Sequence, residues 1–330
     1  MKYRNLGKTG FQVSEIGFGT WTLALDWWGK KPEEEEAIRM LKRAYDLGIN
    51  FFETADMYGK GKSEKLLAKA FKDMRNDVIY STKWGYDMYG ATQIGHGEIP
   101  QKHNPEFLDY ALAESLNRLE TDFVDVYSLH NPKMDAIQNN SLFDKLDELV
   151  RIGKIKSHGI ALGPAIGWEK EGLYAIENRN IVCLQTVYNI LEQDPGRIFF
   201  NAVNKKDNSV SIMVRVPDAS GVLTGKVNEH TVFDKNDHRS NRKKEWIIQA
   251  MKKIEKLKPI AESHGWNITE LSMKYILSQK EISVLLPTVT SLEEIDQFAQ
   301  MSDGKYLNAE EKAQIEKMYE NNFDMPKLLA

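Results

Sequence analysis

Asn50-Phe-Phe-Glu-Thr-Ala-Asp-Met-Tyr-Gly59 opens as an apolar run and ends in a polar loop, and two later stretches repeat the form. They are Val78-Ile-Tyr-Ser-Thr-Lys-Trp84 and Phe123-Val-Asp-Val-Tyr-Ser-Leu-His130. Each run ends near a residue able to move or steer a proton: Tyr58, Lys83 and His130. In a parallel barrel, residues just past the carboxyl ends of successive strands converge on one face. A phenol, an ammonium and an imidazole gathered there suggest acid catalysis at an oxygen.

Outward from these runs, strand and helix patterns alternate along the whole chain. Short apolar runs at 15–19, 49–53, 78–83, 123–129, 155–161, 181–187, 210–216 and 283–287 read as strands covered by helices. Helical periodicity falls at 33–47, 63–72, 105–118, 141–151, 168–178, 196–205, 243–264 and 291–300. Pro32 followed by Glu33 to Glu36 suits a helix start, since a missing N–H is harmless there and acids complement the dipole. Eight such units favour an α/β (β/α)8 barrel over an open doubly wound sheet. No Gly-x-Gly-x-x-Gly opens a helix, which weighs against a Rossmann domain. Residues 3–13 read as an N-terminal β-hairpin and 308–320 as an extra C-terminal helix, the whole of 1–330 forming one domain. Two connections, Gly85 to Asn104 and Pro217 to Arg242, are long, and long loops in compact domains tend to be functional.

The composition excludes several function classes. With 42% hydrophobic residues over 330 positions, a large core can be buried. A net charge of −4 gives no reason to expect nucleic-acid or membrane binding. The Lys-rich stretch from Lys243 to Lys258 is interleaved with Trp246, Ile247, Met251, Ile254 and Leu257, so it reads as a solvated helix face. The one cysteine, Cys183, lies in Ile181-Val-Cys-Leu184 and reads as a buried structural thiol in a reducing compartment. There is no signal-peptide core at the start and no long apolar run, so a cytoplasmic protein is expected. His96 and His103 lack cysteine or carboxylate company, and no metal site is expected. Nothing in the sequence specifies an oligomeric state.

Several stretches resemble the aldo-keto reductase family. They include Tyr3-Arg-Asn-Leu-Gly-Lys-Thr-Gly10, Val13-Ser-Glu-Ile-Gly-Phe-Gly-Thr-Trp21 and Ala113-Glu-Ser-Leu-Asn-Arg-Leu-Glu-Thr-Asp122. Gly153-Lys-Ile-Lys156 and Gly221-Val-Leu-Thr-Gly-Lys226 extend the likeness, as do the three runs quoted first. The resemblance implies NAD(P)H-dependent reduction of an aldehyde or ketone, or the reverse oxidation, with NADP the expected cofactor and NAD possible. The substrate would be a small carbonyl compound or alcohol. On the same footing Tyr58 is the proton donor, Lys83 the cation that makes it acidic, and His130 the group that orients the substrate oxygen. The hairpin would cover the bottom of the barrel.

The chain departs from the family at defined places. The family's Lys partner is an Asp five residues before the Tyr; here it is Glu53, one methylene longer. The family's Ser-Asn pair after the fifth strand is replaced by Ala161-Leu162, leaving Gln185 to hold a nicotinamide carboxamide. The ring that usually stacks on the nicotinamide is replaced by Arg215, in Arg215-Val-Pro-Asp-Ala-Ser-Gly221, which resembles a branch of the family carrying Arg-Val-Pro there. A plain alternative pairs that Arg with Asp218. By resemblance, Leu223, Gly225 and Lys226 would meet the pyrophosphate. Thr288, Thr290, Ser291 and Glu294 in Pro287-Thr-Val-Thr-Ser-Leu-Glu-Glu294 would meet the adenosine end, with a capping box at Ser291 and Glu294. No basic residue lies between Pro287 and Gln297, so a 2′-phosphate finds hydroxyls rather than an arginine.

Trp21, Trp27, Trp28 and Trp84 are expected as substrate walls, favouring a flat or aromatic carbonyl compound. Two other functions stay open at this point. One is a barrel that has lost the redox cofactor and performs elimination or isomerisation; the other is a non-catalytic binding subunit.

Overall fold

A computed structural model describes residues 1–89, 99–207 and 209–326, so His96 and the middle of the loop after Gly85 lie outside the described residues. The chain begins with an antiparallel hairpin, β1 (Tyr3–Asn5) and β2 (Gln12–Ser14), in the register Tyr3 to Ser14. Eight parallel strands follow: β3 (Phe18–Gly19), β4 (Phe51–Glu53), β5 (Ile79–Trp84), β6 (Val124–His130), β7 (Ile155–Ala161), β8 (Cys183–Val187), β9 (Ser211–Arg215) and β10 (Ile282–Leu285). They pair in sequence order. Ile16 bridges Leu285 in parallel, with Gly17 N donating to Leu285 O at 2.9 Å, which closes the sheet into a (β/α)8 barrel.

The helices are α1 (Trp21–Ala24), α2 (Glu34–Asp46), α3 (Lys62–Phe71), α4 (Pro105–Leu119), α5 (Met134–Gln138), α6 (Asn140–Arg151), α7 (Glu169–Asn178), α8 (Gly196–Lys205), α9 (Lys244–Ser263), α10 (Ile268–Leu277), α11 (Leu292–Gln300) and α12 (Ala309–Glu320). Local chemistry sets their starts. Asn104 caps α4 by accepting from Phe107 N at 2.9 Å, and Pro105 takes the first helical position. In α2 the buried Ala37, Met40, Leu41 and Ala44 recur at helical spacing, and Glu34 to Glu36 fill the first turn. The extra C-terminal helix appears as α12. No helix among the described residues is long and apolar enough to cross a membrane.

Side chains alternate between two cores along each strand. Phe51, Val126, Cys183, Met213 and Val284 fill the barrel, where Leu6 and Val13 of the hairpin join them and plug its bottom. Leu6 is fully buried, so truncating it to Ala would cost about 2–5 kcal/mol. Phe52, Tyr127, Leu184, Val214 and Leu285 point outward into the helix layer. Burial pushes the Cys183 thiol up to about 12, as fits a packed, inert residue.

The structure departs from expectation at α10, which follows α9 as a second helix before β10. Leu271 to Leu277 are all buried, so no polar face marks the helix in the sequence. Its start was nonetheless written in Asn267 and Glu270, which form a reciprocal capping box.

Candidate active site

The alternation that fills the barrel also aims the polar residues. Glu53 ends β4, Lys83 lies near the end of β5 and His130 ends β6, all on the inward register at the carboxyl end of the barrel. Tyr58 sits in the turn between β4 and α3. Glu53, Lys83 and His130 are each 3% exposed or less, and Tyr58 7%. Burial of this many polar groups requires them to satisfy one another.

They do so in part. The Lys83 ammonium forms an ion pair with Glu53 Oε1 and donates to Thr54 O at 2.6 Å. Gln185 Nε2 donates to the same Glu53 Oε1 at 2.9 Å. The Lys83 ammonium lies over the Tyr58 ring, 4.7 Å from its centroid. Tyr58 meets His130 edge-on, with ring centroids 5.9 Å apart, and Tyr86 meets His130 from another side at 5.1 Å. The longer Glu53 therefore reaches Lys83 without leaving Gln185. His130 Nδ1 has no hydrogen-bond partner.

Burial dominates the electrostatics. It pushes the Tyr58 phenol well above its usual range; Glu53 adds to this, while Arg215 opposes it. Burial lowers Lys83, with the Glu53 carboxylate opposing. His130 is pushed far below its usual value by burial and then by the charges of Lys83 and Arg215, so its ring is neutral near pH 7. The cation expected to make Tyr58 acidic was Lys83. It is paired with Glu53 and lies over the Tyr58 ring, and Arg215 is a second cation that favours the phenolate.

Glu53, Tyr58, His130, Gln185 and Arg215 line one cavity of about 1470 Å³, together with Trp21, Trp27, Trp28 and Thr288. Trp21 and Trp28 meet edge-on at 5.6 Å. The long β9–α9 loop reaches across to this wall: His238 N donates to Trp27 O at 2.8 Å, and Arg239 lies 4.3 Å over the Trp28 ring. Gln101, Asn131 and Asn139 also line the cavity. Sequence reading did not single them out, although Gln101 falls in a loop flagged for its length.

Other expectations need correction. Trp84 is fully buried outside the barrel, stacked on Tyr127 at 6.1 Å, and is no substrate wall. Strand alternation is the reason: Lys83 points in, so Trp84 points out. Leu223 is packed in the helix-layer core and Gly225 holds a left-handed turn at φ 73°; neither lines the cavity. Lys226, Thr290, Ser291 and Glu294 lie outside it too. Ser291 caps α11 as expected, accepting from Glu294 N at 3.3 Å. The Glu294 carboxylate, however, accepts from Thr290 N at 2.6 Å and pairs with Lys226, so the reciprocal half of the capping box is displaced. Arg215 does not pair with Asp218; it makes one hydrogen bond, to Leu162 O at 3.3 Å. Asp218 is 2% exposed, lines the cavity, and has an unpartnered Oδ1. No cluster of metal-ligating residues occurs among the described residues.

The fit to a nicotinamide nucleotide can be judged from these groups. The cavity exceeds the roughly 300–1,000 Å³ of a small-molecule pocket, which leaves room for a second, larger molecule beside a substrate. Gln185 donates through its nitrogen to Glu53 and keeps its carbonyl oxygen for an amide N–H. The residues fit the nicotinamide end. Beyond that end Lys226, Arg239 and Arg242 are tied to Glu294, Asp237 and Glu192, so none of these three awaits a 2′-phosphate as a free cation.

The sequence profile of the aldo/keto reductase family matches residues 15–320. "Aldo-keto reductase YhdN" of Bacillus subtilis is 27% identical, over 99% of this chain and 96% of its own. The "probable voltage-gated potassium channel subunit beta" of Oryza sativa is 27% identical, over 89% of each. Among solved structures, the holo form of aldo-keto reductase AKR11C1 from Bacillus halodurans superposes with a TM-score of 0.78 at 27% identity, covering 96% of each chain.

Proposed function

The chain belongs to the aldo/keto reductase family, and on that premise we propose that it reduces an aldehyde or ketone with NAD(P)H, or runs the reverse oxidation. One observation carries the reading: Tyr58, His130, Gln185 and the Glu53–Lys83 pair meet at one end of a cavity large enough for two ligands. The bound nicotinamide supplies a hydride to the carbonyl carbon. Tyr58, in the cavity wall, would donate the proton that the carbonyl oxygen then needs. His130, held neutral, can hydrogen-bond that oxygen and orient it towards Tyr58. Glu53 fixes Lys83 beneath the Tyr58 ring and orients Gln185, whose carbonyl holds the carboxamide. Arg215 offers a planar face to the nicotinamide ring. Thr288 lines the same cavity and would meet the nucleotide there. The tryptophans Trp21, Trp27 and Trp28 form the substrate wall and exclude water.

Titration with NADH and NADPH, followed by Tyr58→Phe kinetics on aromatic aldehydes, tests this reading. Micromolar nucleotide binding with a large loss of turnover in the variant supports it; absence of nucleotide binding overturns it. A second reading, acid–base chemistry without a nucleotide, is favoured by the unpartnered Asp218 carboxyl in the cavity wall. An anion at that wall would leave phosphates poorly received. The same titration separates the two.

A further inference from the structure

The reacting end of the cavity holds the Arg215 guanidinium, and the buried Asp218 carboxyl lines the same cavity three residues on. Lys83 and Glu53 cancel as an ion pair, and His130 is neutral. Arg215 has no carboxylate partner among the described residues, and its single hydrogen bond to Leu162 O occupies one of five N–H groups. A half-buried guanidinium with four open donors in a cavity wall is a receptor for a planar anion, which it can grip through its edge in two parallel bonds. The face of the same group stays open to a ring, so edge and face can serve different ligands.

We infer that the edge of Arg215 binds a carboxylate on the substrate, and that the preferred substrates are 2-oxo acids, or 2-hydroxy acids in the reverse direction. The substrate assignment rests on the reductase reading; the carboxylate site does not. Two observations place the anion at the reacting end rather than on a nucleotide phosphate. Arg215, at the end of β9, lines the same cavity as Tyr58 and His130, the groups that would surround the reacting carbonyl. Asp218, three residues on, lines the same cavity with a buried, unpartnered Oδ1, and that carboxyl disfavours a phosphate drawn towards its part of the wall. A carboxylate held on Arg215 brings the adjacent carbonyl to Tyr58 and His130. The indole walls of Trp21, Trp27 and Trp28 then receive the remaining, preferably aromatic, part of the molecule.

The test is calorimetric titration with phenylglyoxylate and its neutral methyl ester, with and without NADPH. Wild type should bind the acid at least tenfold more tightly than the ester. Arg215→Leu should lose roughly 10–100-fold in affinity for the acid and little for the ester. Arg215→Lys should recover part of the loss, since it keeps the charge without the fork. Inorganic pyrophosphate serves as the competing anion and should depend on Arg215 far less than the acid does. The inference is overturned if wild type binds neither probe, or binds the ester as well as the acid. It is also overturned if Arg215→Leu leaves acid affinity within twofold, or if only pyrophosphate depends on Arg215. If the leucine variant does not fold, the acid-to-ester ratio in wild type decides alone. Acid binding that depends on Arg215 without any turnover would sink the reductase reading and leave this site standing. Turnover of neutral carbonyls only would do the reverse.

Discussion

Asp218→Asn should stabilise the protein at neutral pH. Asp218 is buried, its Oδ1 has no partner, and burial pushes its carboxyl from 3.8 up to about 6 against the pull of Thr288 and Arg239. A raised carboxyl binds its proton more tightly in the folded state. That contribution is fully present below the unfolded value near 3.8 and is lost as pH rises through about 6. At ~1.4 kcal/mol per pH unit, the charged carboxylate at pH 7.5 costs about 3 kcal/mol relative to a neutral group of the same shape. Asparagine is that group, and it can still accept from the Thr288 hydroxyl. A chain of this length gains roughly 2 °C per kcal/mol, so the midpoint should rise by about 5 °C at pH 7.5. Thermal unfolding of wild type and variant from pH 4 to pH 8 measures it, and the difference should shrink towards pH 4. A variant no more stable at pH 7.5, or a difference that does not change with pH, would refute the assignment of a strained buried carboxylate.

Three further outcomes concern the site. Tyr58→Phe should lower kcat for carbonyl reduction by roughly 10²–10⁴-fold while nucleotide affinity and melting temperature stay near wild type; near-normal turnover removes Tyr58 from the chemistry. Glu53→Asp should keep or raise kcat/KM if Glu53 serves only to hold Lys83, whereas Glu53→Gln should lower it and move the pH profile; equal values in all three proteins would make Glu53 purely structural. NADPH and NADH should bind within about a hundredfold of each other, about 2.7 kcal/mol, because Lys226, Arg239 and Arg242 are already paired with carboxylates; a wider gap measured by fluorescence titration would point to a basic group elsewhere.

The barrel was legible because its strands are short apolar runs at regular spacing and its helices mostly carry one apolar stripe. The element that escaped, α10, is the one buried on every side over Leu271 to Leu277. Periodicity reports a contrast between two faces and is silent where both are covered. The polar cluster at the barrel mouth was legible for a related reason. Glu53, Lys83 and His130 stand at strand ends, where the fold itself decides direction. Trp84 was misplaced by ignoring the same rule, since the neighbour of an inward lysine must face outward. The nucleotide end was far less readable. Whether Lys226 is free or held by Glu294, 68 positions away, depends on how two loops meet, and no local pattern encodes that.

The charges at the barrel mouth change what the family resemblance implies for this chain. An ammonium next to a phenol acidifies it only to the extent that its charge is uncompensated and directed at the oxygen. Here Glu53 compensates Lys83, and the ammonium sits over the ring. Glu53 itself raises the phenol further, so it opposes the effect of Lys83 on Tyr58. The uncompensated cation is Arg215, which stands where the resemblance calls for an aromatic ring. The substitutions at 53 and 215 therefore belong to one electrostatic arrangement. Neutralising Arg215 should weaken proton donation by Tyr58 even to a substrate that carries no carboxylate. Arg215→Leu would then lower kcat for a neutral aldehyde and shift its pH profile, while the ester affinity that reports simple wall contacts stays unchanged. A neutral-substrate pH profile identical to wild type would confine Arg215 to substrate recognition and return the tuning of Tyr58 to Lys83.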